Sequence, residues 1–121
     1  MTFSALDSEL LGPLFATDAM RDVFSDRNRI ATMLRAEAAL ARALASQRLA
    51  PQELAAAIDA ISPDDLDIAA LGRDTAIAGV PTIPFIKAVR EKLPGELERE
   101  RPWRRYAPVF DPTVPPVAAP V

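Results

Sequence analysis

The sequence predicts an all-α protein, and three observations support this fold class. Apolar residues recur at helical spacing through residues 14–93, and no alternating strand pattern competes with them. Alanine supplies 23 of the 121 residues and aromatic side chains only seven, which suits closely packed helices. Chain breakers divide the sequence into segments of helix length. These breakers are Gly12-Pro13, Pro51, Ser62-Pro63, Gly79-Val80-Pro81, Pro84 and Pro94-Gly95.

Two helices are predicted in the first half of the chain. Thr17 or Asp18 can cap a short helix, and Ser25 or Asp26 can cap a second helix that continues to about Arg48. The second helix has an apolar face, because large aliphatic residues and alanine recur three and four positions apart. The residues of this face are Ile30, Met33, Leu34, Ala41 and Leu44.

Three further helices are predicted before residue 94. Pro51 suits the first turn of a helix whose buried side consists of Leu54, Ala57, Ile58 and Ile61. Ser62 and the proline and acids after it favour a helix that runs to about Ala78, with a break at Gly72 as an alternative. Thr82 can cap the last helix, whose apolar residues are Ile83, Phe85, Ile86, Val89 and Leu93.

The chain is expected to form one helical domain, residues 1–93, followed by a tail. Residues 94–121 are dense in charge at first and then rich in proline, with six of the 12 prolines between Pro102 and Pro120. Neither a helix nor a central strand persists through such spacing of proline. We therefore predict an irregular tail.

Composition excludes several classes of function. The chain has no Cys and no His, so it offers no thiol nucleophile and no zinc site of the usual ligands, and we expect neither a metal nor a cofactor. Its longest run without charge is residues 75–86, too short to span a bilayer. The first basic residue is Arg21, so no secretory signal is expected, and a cytoplasmic location is predicted.

Glu37 is the first candidate for chemistry, because it projects into the apolar face of the long helix between Ile30 and Leu44. A buried carboxylate that accepts hydrogen bonds is the more common explanation of such a position, and a catalytic acid the less common one. We therefore predict a structural, buried and hydrogen-bonded Glu37.

Basic residues offer a second candidate, a nucleic-acid surface. The arginines between residues 21 and 48 do not share one helix face, and acids lie among them, so a solvated surface is favoured. The run Trp103-Arg104-Arg105-Tyr106 interleaves aromatic and basic residues, as single-strand binders do, but it is short. With a net charge of −3, the chain is expected to bind neither nucleic acid nor membrane.

Four runs of sequence together resemble the N-terminal domain of a known enzyme family. They are Phe24-Ser25-Asp26-Arg27, the run from Met33 to Ala43, Leu71-Gly72, and the run from Ala78 to Ala88 that contains Gly79-Val80-Pro81-Thr82-Ile83-Pro84. The resemblance is to the 3-carboxy-cis,cis-muconate cycloisomerases of the fumarase/aspartase superfamily. It implies a small helical domain that precedes a long helical bundle, in enzymes that assemble as tetramers.

The resemblance also implies which catalytic parts are missing from this sequence. Family members continue into a segment with anion-binding Thr and Ser, and later into a loop with the catalytic Ser, and neither segment is found here. Around Glu98 to Trp103 the chain departs from the family, as a truncated or frame-shifted gene would. Thr82 and Lys87 remain as candidate substrate contacts, although a helix cap and an exposed lysine explain them equally simply. Family members usually have Asn where this chain has Val80.

Three functions stay open at this point. The chain is expected to be a truncated cycloisomerase-like protein from protocatechuate breakdown, inactive alone or completed by a second polypeptide. The alternatives are a non-catalytic helical module that binds a partner subunit, and a small nucleic-acid binder. In the first two cases, outward-facing Leu, Ile and Phe residues should be covered by self-association or by a helical partner.

Overall fold

The computed structural model of the protein describes residues 4–99, and all regular structure in this range is helical. Seven α-helices follow one another with short connections, and 3-10 turns lie at Ala5–Asp7 and Pro63–Asp65. The helices are α1 (Gly12–Phe15), α2 (Asp18–Val23), α3 (Asp26–Ser46), α4 (Glu53–Asp59), α5 (Ile68–Ala78), α6 (Thr82–Lys92) and α7 (Gly95–Arg99). The prediction of an all-α fold is confirmed for the described residues.

The predicted caps of α2 and α3 are present. The Thr17 hydroxyl accepts a hydrogen bond from the Met20 amide at 3.3 Å, and the Ser25 hydroxyl accepts one from the Asn28 amide at 3.1 Å. Each hydroxyl satisfies one amide that the first helical turn leaves without a backbone partner. At its other end, α3 closes with Arg48 in the left-handed region, at φ 56°.

A single apolar core joins α3, α4 and α6. Ala38 and Leu54 have no exposed surface, and Phe85 retains 1% of its surface, so each of the three helices contributes a fully buried side chain. No charged side chain is buried in residues 4–97. The buried core residues are Ile30, Leu34, Ala38, Ala41, Leu54, Ala55, Ile58, Ile61, Leu66, Phe85, Val89 and Leu93.

The contacts between helices surround this core. The most extensive contact is between α3 and α4, α5 packs on α6, and the Pro63–Asp65 turn packs on α3. No helix in the described range is both long and apolar enough to span a bilayer.

Polar contacts between distant parts of the chain lie at the surface around this core. Arg27 donates two hydrogen bonds to the Asp64 carboxylate, at 2.9 and 2.7 Å, and Arg42 pairs with Asp59 at 2.7 Å. The hydrogen bonds with Arg27 lower the pKa of Asp64 and raise the pKa of Arg27. Because these pairs are exposed to solvent, each contributes little to the stability of the fold.

The structure corrects two predicted helix starts. The helix expected from Ser62 to Ala78 is a 3-10 turn followed by a separate helix, because Leu66 adopts an extended backbone that places its side chain in the core. Asp67 then caps α5 by accepting a hydrogen bond from the Ala70 amide at 3.0 Å, and Gly72 does not interrupt that helix. Thr82 is not a cap, since it lies inside the first turn of α6.

The chain immediately after Leu93 is also more regular than predicted. Helix α7 begins at Gly95, and Leu97 packs against the core. The division into a domain of residues 1–93 and a tail of residues 94–121 stays a prediction, and the proline-rich part after residue 99 lies outside the described range.

Large apolar side chains are exposed at several places in the described residues, as the sequence predicted. Leu10, Leu14 and Ile77 keep 85%, 78% and 87% of their surface exposed. Many of the others lie between residues 6 and 24 or around the turn between α5 and α6, and the rest, such as Leu40 and Leu49, are scattered. Whether another chain covers these side chains stays a prediction.

We expect Phe85→Ala to destabilise the protein by about 3–5 kcal/mol, because it removes a fully buried aromatic ring and leaves a cavity. Ile83→Ala is the matched control on the same helix, since Ile83 is 40% exposed and should cost less than about 1 kcal/mol. Urea denaturation followed by circular dichroism measures both. Equal effects of the two substitutions would show that α6 is not anchored through Phe85.

Candidate functional site

Glu37 is half-buried on α3, and no hydrogen bond or ion pair reaches it from any residue in the described range. Burial alone raises the pKa of its carboxyl group above the usual value for Glu. The prediction of a buried, hydrogen-bonded acid is therefore corrected to a half-buried acid without a partner in residues 4–99.

The rotation of α3 explains this difference. The predicted apolar face was centred on Ile30 and Leu44, with Glu37 between them. In the structure the buried positions are Ile30, Leu34, Ala38 and Ala41. On a helix of 100° per residue, their mean direction lies about 55° from that of Glu37. Glu37 consequently lies at the border of the core, on the same side as the half-buried Met33 and Leu44.

Lys87 is exposed and lines a shallow cleft of about 250 Å³ between α5 and α6. The other charged side chains of this cleft were not singled out from the sequence, because they come from separate helices. They are Asp65, Asp67, Asp74, Glu91 and Lys92. Four carboxylates against two ammonium groups make the cleft negative overall, so it does not favour a substrate that carries several carboxylates.

Thr82 does not contribute to this cleft. It is exposed at the start of α6 and is absent from the residues that line the space around Lys87. Five residues separate the two positions, which places them about 140° apart around the helix. The structure thus does not bring the two candidate substrate contacts together, and their role stays a prediction.

The turn between α5 and α6 contains the sequence run that resembles the enzyme family. Gly79 ends α5 with φ 77°, in the left-handed region where a side chain is disfavoured. Val80 and Ile83 are each 40% exposed beside it, and Ile77 is almost fully exposed. The turn therefore presents apolar side chains at the surface and no catalytic group.

The remaining candidates offer no site within residues 4–99. No cluster of three or more His, Cys, Asp or Glu side chains there is arranged to hold a metal ion. Several of the arginines proposed for a nucleic-acid surface are engaged within the fold: Arg27 with Asp64, Arg42 with Asp59, and Arg21 with the Leu6 carbonyl. The Trp103–Tyr106 run lies outside the described range.

We expect Glu37→Gln to increase stability slightly at neutral pH, by less than about 1 kcal/mol for a group so near water. A carboxyl whose pKa is raised on folding favours the folded state while it is protonated, and this contribution is lost as the pH rises through its folded pKa. Urea denaturation at pH 4 and pH 7 tests this sign. If Glu37→Gln instead costs more than about 1 kcal/mol at pH 7, Glu37 has a hydrogen-bond partner outside residues 4–99.

Comparison with known proteins shows which sequences the chain resembles. Over 98 residues the chain is 41% identical to 3-carboxy-cis,cis-muconate cycloisomerase of Pseudomonas putida, a match that covers 79% of this chain and 23% of the relative. The enzyme of that name from Acinetobacter baylyi is 37% identical over 83 residues, covering 66% of this chain and 18% of the relative.

A relative with a different activity matches the same extent of sequence. Nitrosuccinate lyase of Streptomyces davaonensis is 36% identical over 94 residues, which cover 77% of this chain and 20% of the lyase. No family model and no solved structure matches the chain.

The chain therefore spans about a fifth of the length of the curated relatives it matches. This coverage is consistent with the N-terminal segment that the resemblance implied. By its sequence, the chain is similar to a segment of the 3-carboxy-cis,cis-muconate cycloisomerases, and its described residues have the helical fold class that this similarity implies.

Proposed function

We propose that this chain supplies the N-terminal helical part of a 3-carboxy-cis,cis-muconate cycloisomerase-like protein of the β-ketoadipate pathway, and that residues 1–121 alone do not catalyse the reaction. The observation that carries the proposal is the match to about a fifth of each relative, combined with a described surface on which the two candidate substrate contacts, Thr82 and Lys87, do not meet. A cytoplasmic location is part of the proposal, because the assigned role is the breakdown of a small carboxylated metabolite.

The chemistry of the reaction supports the absence of turnover. Lactonisation of a carboxylated muconate moves a proton next to a carboxylate, and it requires a base together with donors that hold the negative charge as it develops. Lys87 lies in a cleft with a majority of carboxylates, and Thr82 faces elsewhere on α6. These two side chains could support weak binding of a substrate at most.

The exposed turn between α5 and α6 is the surface we assign to the rest of the protein. Ile77, Val80 and Ile83 are apolar and exposed there, and the last two lie within the sequence run that is most typical of the cycloisomerases. Covering these side chains would remove apolar surface from water, which favours association. A helical partner subunit or a second copy of the chain would meet this requirement.

A second candidate function is a non-catalytic helical module that binds a partner subunit through the same turn. The exposure of Ile77 and its neighbours favours it equally. The two functions differ in one respect: only the first requires that the chain restore turnover to a cycloisomerase that lacks the matching segment.

Fragment complementation tests the proposed function. The 3-carboxy-cis,cis-muconate cycloisomerase of Pseudomonas putida is produced without the segment that matches this chain, alone and together with residues 1–121. We expect no loss of the substrate's ultraviolet absorbance with either polypeptide alone, and turnover when the two are produced together. The direct reason is that each polypeptide would supply only part of the site.

Two substitutions serve as controls for complementation. Ile77→Asp should abolish the restored turnover, whereas Leu49→Asp, on the connection between α3 and α4, should leave it intact. Turnover by residues 1–121 alone that disappears in Lys87→Ala would contradict the proposal. Association without turnover would favour the interaction module.

We also expect the purified chain to associate with itself as its concentration rises, and Ile77→Asp to weaken this association at least severalfold. Burial of one large aliphatic side chain contributes about 1.5–3 kcal/mol, and a charge in its place opposes burial. Sedimentation velocity over a wide range of concentration measures the effect. A compact monomer at every concentration would argue against association through this turn.

A further inference from the structure

The N-terminal segment, residues 4–24, lies outside the apolar core. None of its apolar side chains belongs to the core or packs against it, since the core begins at Ile30. Its largest apolar side chains are exposed to solvent instead. Leu10, Leu14, Phe15 and Phe24 keep between 61% and 85% of their surface exposed. The segment therefore offers apolar area to another molecule.

Hydrogen bonds hold the N-terminal segment in a defined conformation. Arg21 donates a hydrogen bond to the Leu6 carbonyl at 2.8 Å, and its guanidinium lies against Gly12. The Ser8 hydroxyl accepts a hydrogen bond from the Leu11 amide at 3.1 Å. The exposed apolar side chains are thus carried by an organised segment with its own internal contacts.

The N-terminal segment is also acidic. Its carboxylates are Asp7, Glu9, Asp18 and Asp22, and its only basic side chain is Arg21, which leaves a net charge of −3. None of the four carboxylates forms an ion pair with a residue that the structure describes. A contact between two copies of this segment would bring like charges together, which opposes association.

A second surface, at the turn between α5 and α6, is apolar and basic. We name it the α5–α6 surface, and it consists of Arg73, Ile77, Val80 and Ile83, all exposed. Arg73 lies one helical turn before Ile77, so the two side chains are neighbours on α5. The guanidinium of Arg73 forms no hydrogen bond or ion pair with any residue of the described range.

Arg73 supplies the charge of the α5–α6 surface. Residues 75–86 carry no charge. Asp74 and Lys87, on either side of that run, line the cleft between α5 and α6, whereas Arg73 is not among the residues of the cleft. An exposed guanidinium beside an uncharged apolar turn favours an occupant that is apolar and carries carboxylates.

The N-terminal segment has that chemistry, and its own chain does not place it on the α5–α6 surface. Both surfaces are exposed in the same structure, so the contact is not made within one copy. A second copy can make it, because the segment of one chain would cover the turn of the other. Apolar area then meets apolar area, and carboxylates meet a guanidinium that has no partner within the described residues.

We propose that the N-terminal segment of one copy docks on the α5–α6 surface of a second copy, with its apolar side chains on Ile77, Val80 and Ile83 and its carboxylates beside Arg73. This contact joins two different surfaces, so each pair of copies retains one unused surface of each kind. Association therefore continues beyond the dimer until a ring closes or a filament forms. The inference rests on the proposed function only in its use of this turn as a contact surface.

Mixing two variants tests the contact. Leu14→Asp damages the N-terminal segment and leaves the α5–α6 surface intact, and Ile77→Asp does the reverse. Each variant alone should associate at least severalfold more weakly than the unchanged chain, because a charge opposes burial. An equal mixture should associate as strongly as the unchanged chain and stop at a dimer, since it contains one intact pair of surfaces. Sedimentation velocity at matched concentrations measures both effects.

Charge variants provide a second and independent mixture. Arg73→Glu, and the double substitution Glu9→Lys with Asp22→Lys, should each weaken association severalfold alone and restore it when mixed, because every contact in the mixture can then join opposite charges. Glu53→Lys with Glu96→Lys is the matched control, since it changes the net charge equally on α4 and α7. This control should leave association unchanged.

Restored association in a mixture requires that both variants fold, so unfolding cannot imitate it, and circular dichroism verifies the helical content of each variant. Leu49→Asp, on the connection between α3 and α4, is the control for Leu14→Asp and should not weaken association. Folded variants that stay as monomeric in both mixtures as they are alone would overturn the proposal. A dimer that is insensitive to Leu14→Asp would overturn it in favour of a symmetric contact through the turn.

The outcome for this contact can be distinguished from the outcome for the proposed function. Mixtures that fail to associate, together with successful complementation of the truncated Pseudomonas putida enzyme, would overturn the contact between copies alone. Failed complementation together with mixtures that associate would support the contact between copies and contradict the proposed function.

Discussion

Close packing of α3 against α4 is the constraint on which the rest of the structure depends. Ala38 and Ala41 are almost fully buried on α3, and Leu54 and Ile58 are buried on α4. Small residues on one helix admit large ones from the next, so the two helices form a base on which Phe85 closes the core. A larger side chain at Ala38 would separate the helices and open the site that Phe85 fills.

Helix starts could be predicted from the sequence where a local hydrogen bond decides them, and could not where burial decides them. Thr17 and Ser25 cap α2 and α3 as predicted, because each cap involves only residues three positions apart. After Ser62 the local pattern is equally favourable, and its capping box does form. The turn nevertheless does not continue into the next helix, because Leu66 is buried in the core with an extended backbone. This burial depends on residues that are distant in sequence, so the local pattern does not show it.

The candidate site was less predictable than the fold, for a geometric reason. A projection of α3 gives the relative directions of its side chains but not the direction in which its neighbours lie. An error of about 55° in that direction moves Glu37 from the centre of the core to its border. The cleft around Lys87 likewise depends on carboxylates from α5 and from the preceding turn, which the sequence does not place together. The identity of each residue could be read from the sequence, whereas the side chains that surround it in the fold could not.

Gly79 has a consequence for how the family motif is interpreted. Its φ of 77° closes α5 in a conformation that suits glycine, and two residues later Pro81 leads the chain into α6. The Gly-x-Pro run is thus explained by the geometry of a tight reversal, without reference to any reaction. A motif of this kind therefore reports a backbone shape, and a protein can need that shape whether or not the residues around it take part in a reaction.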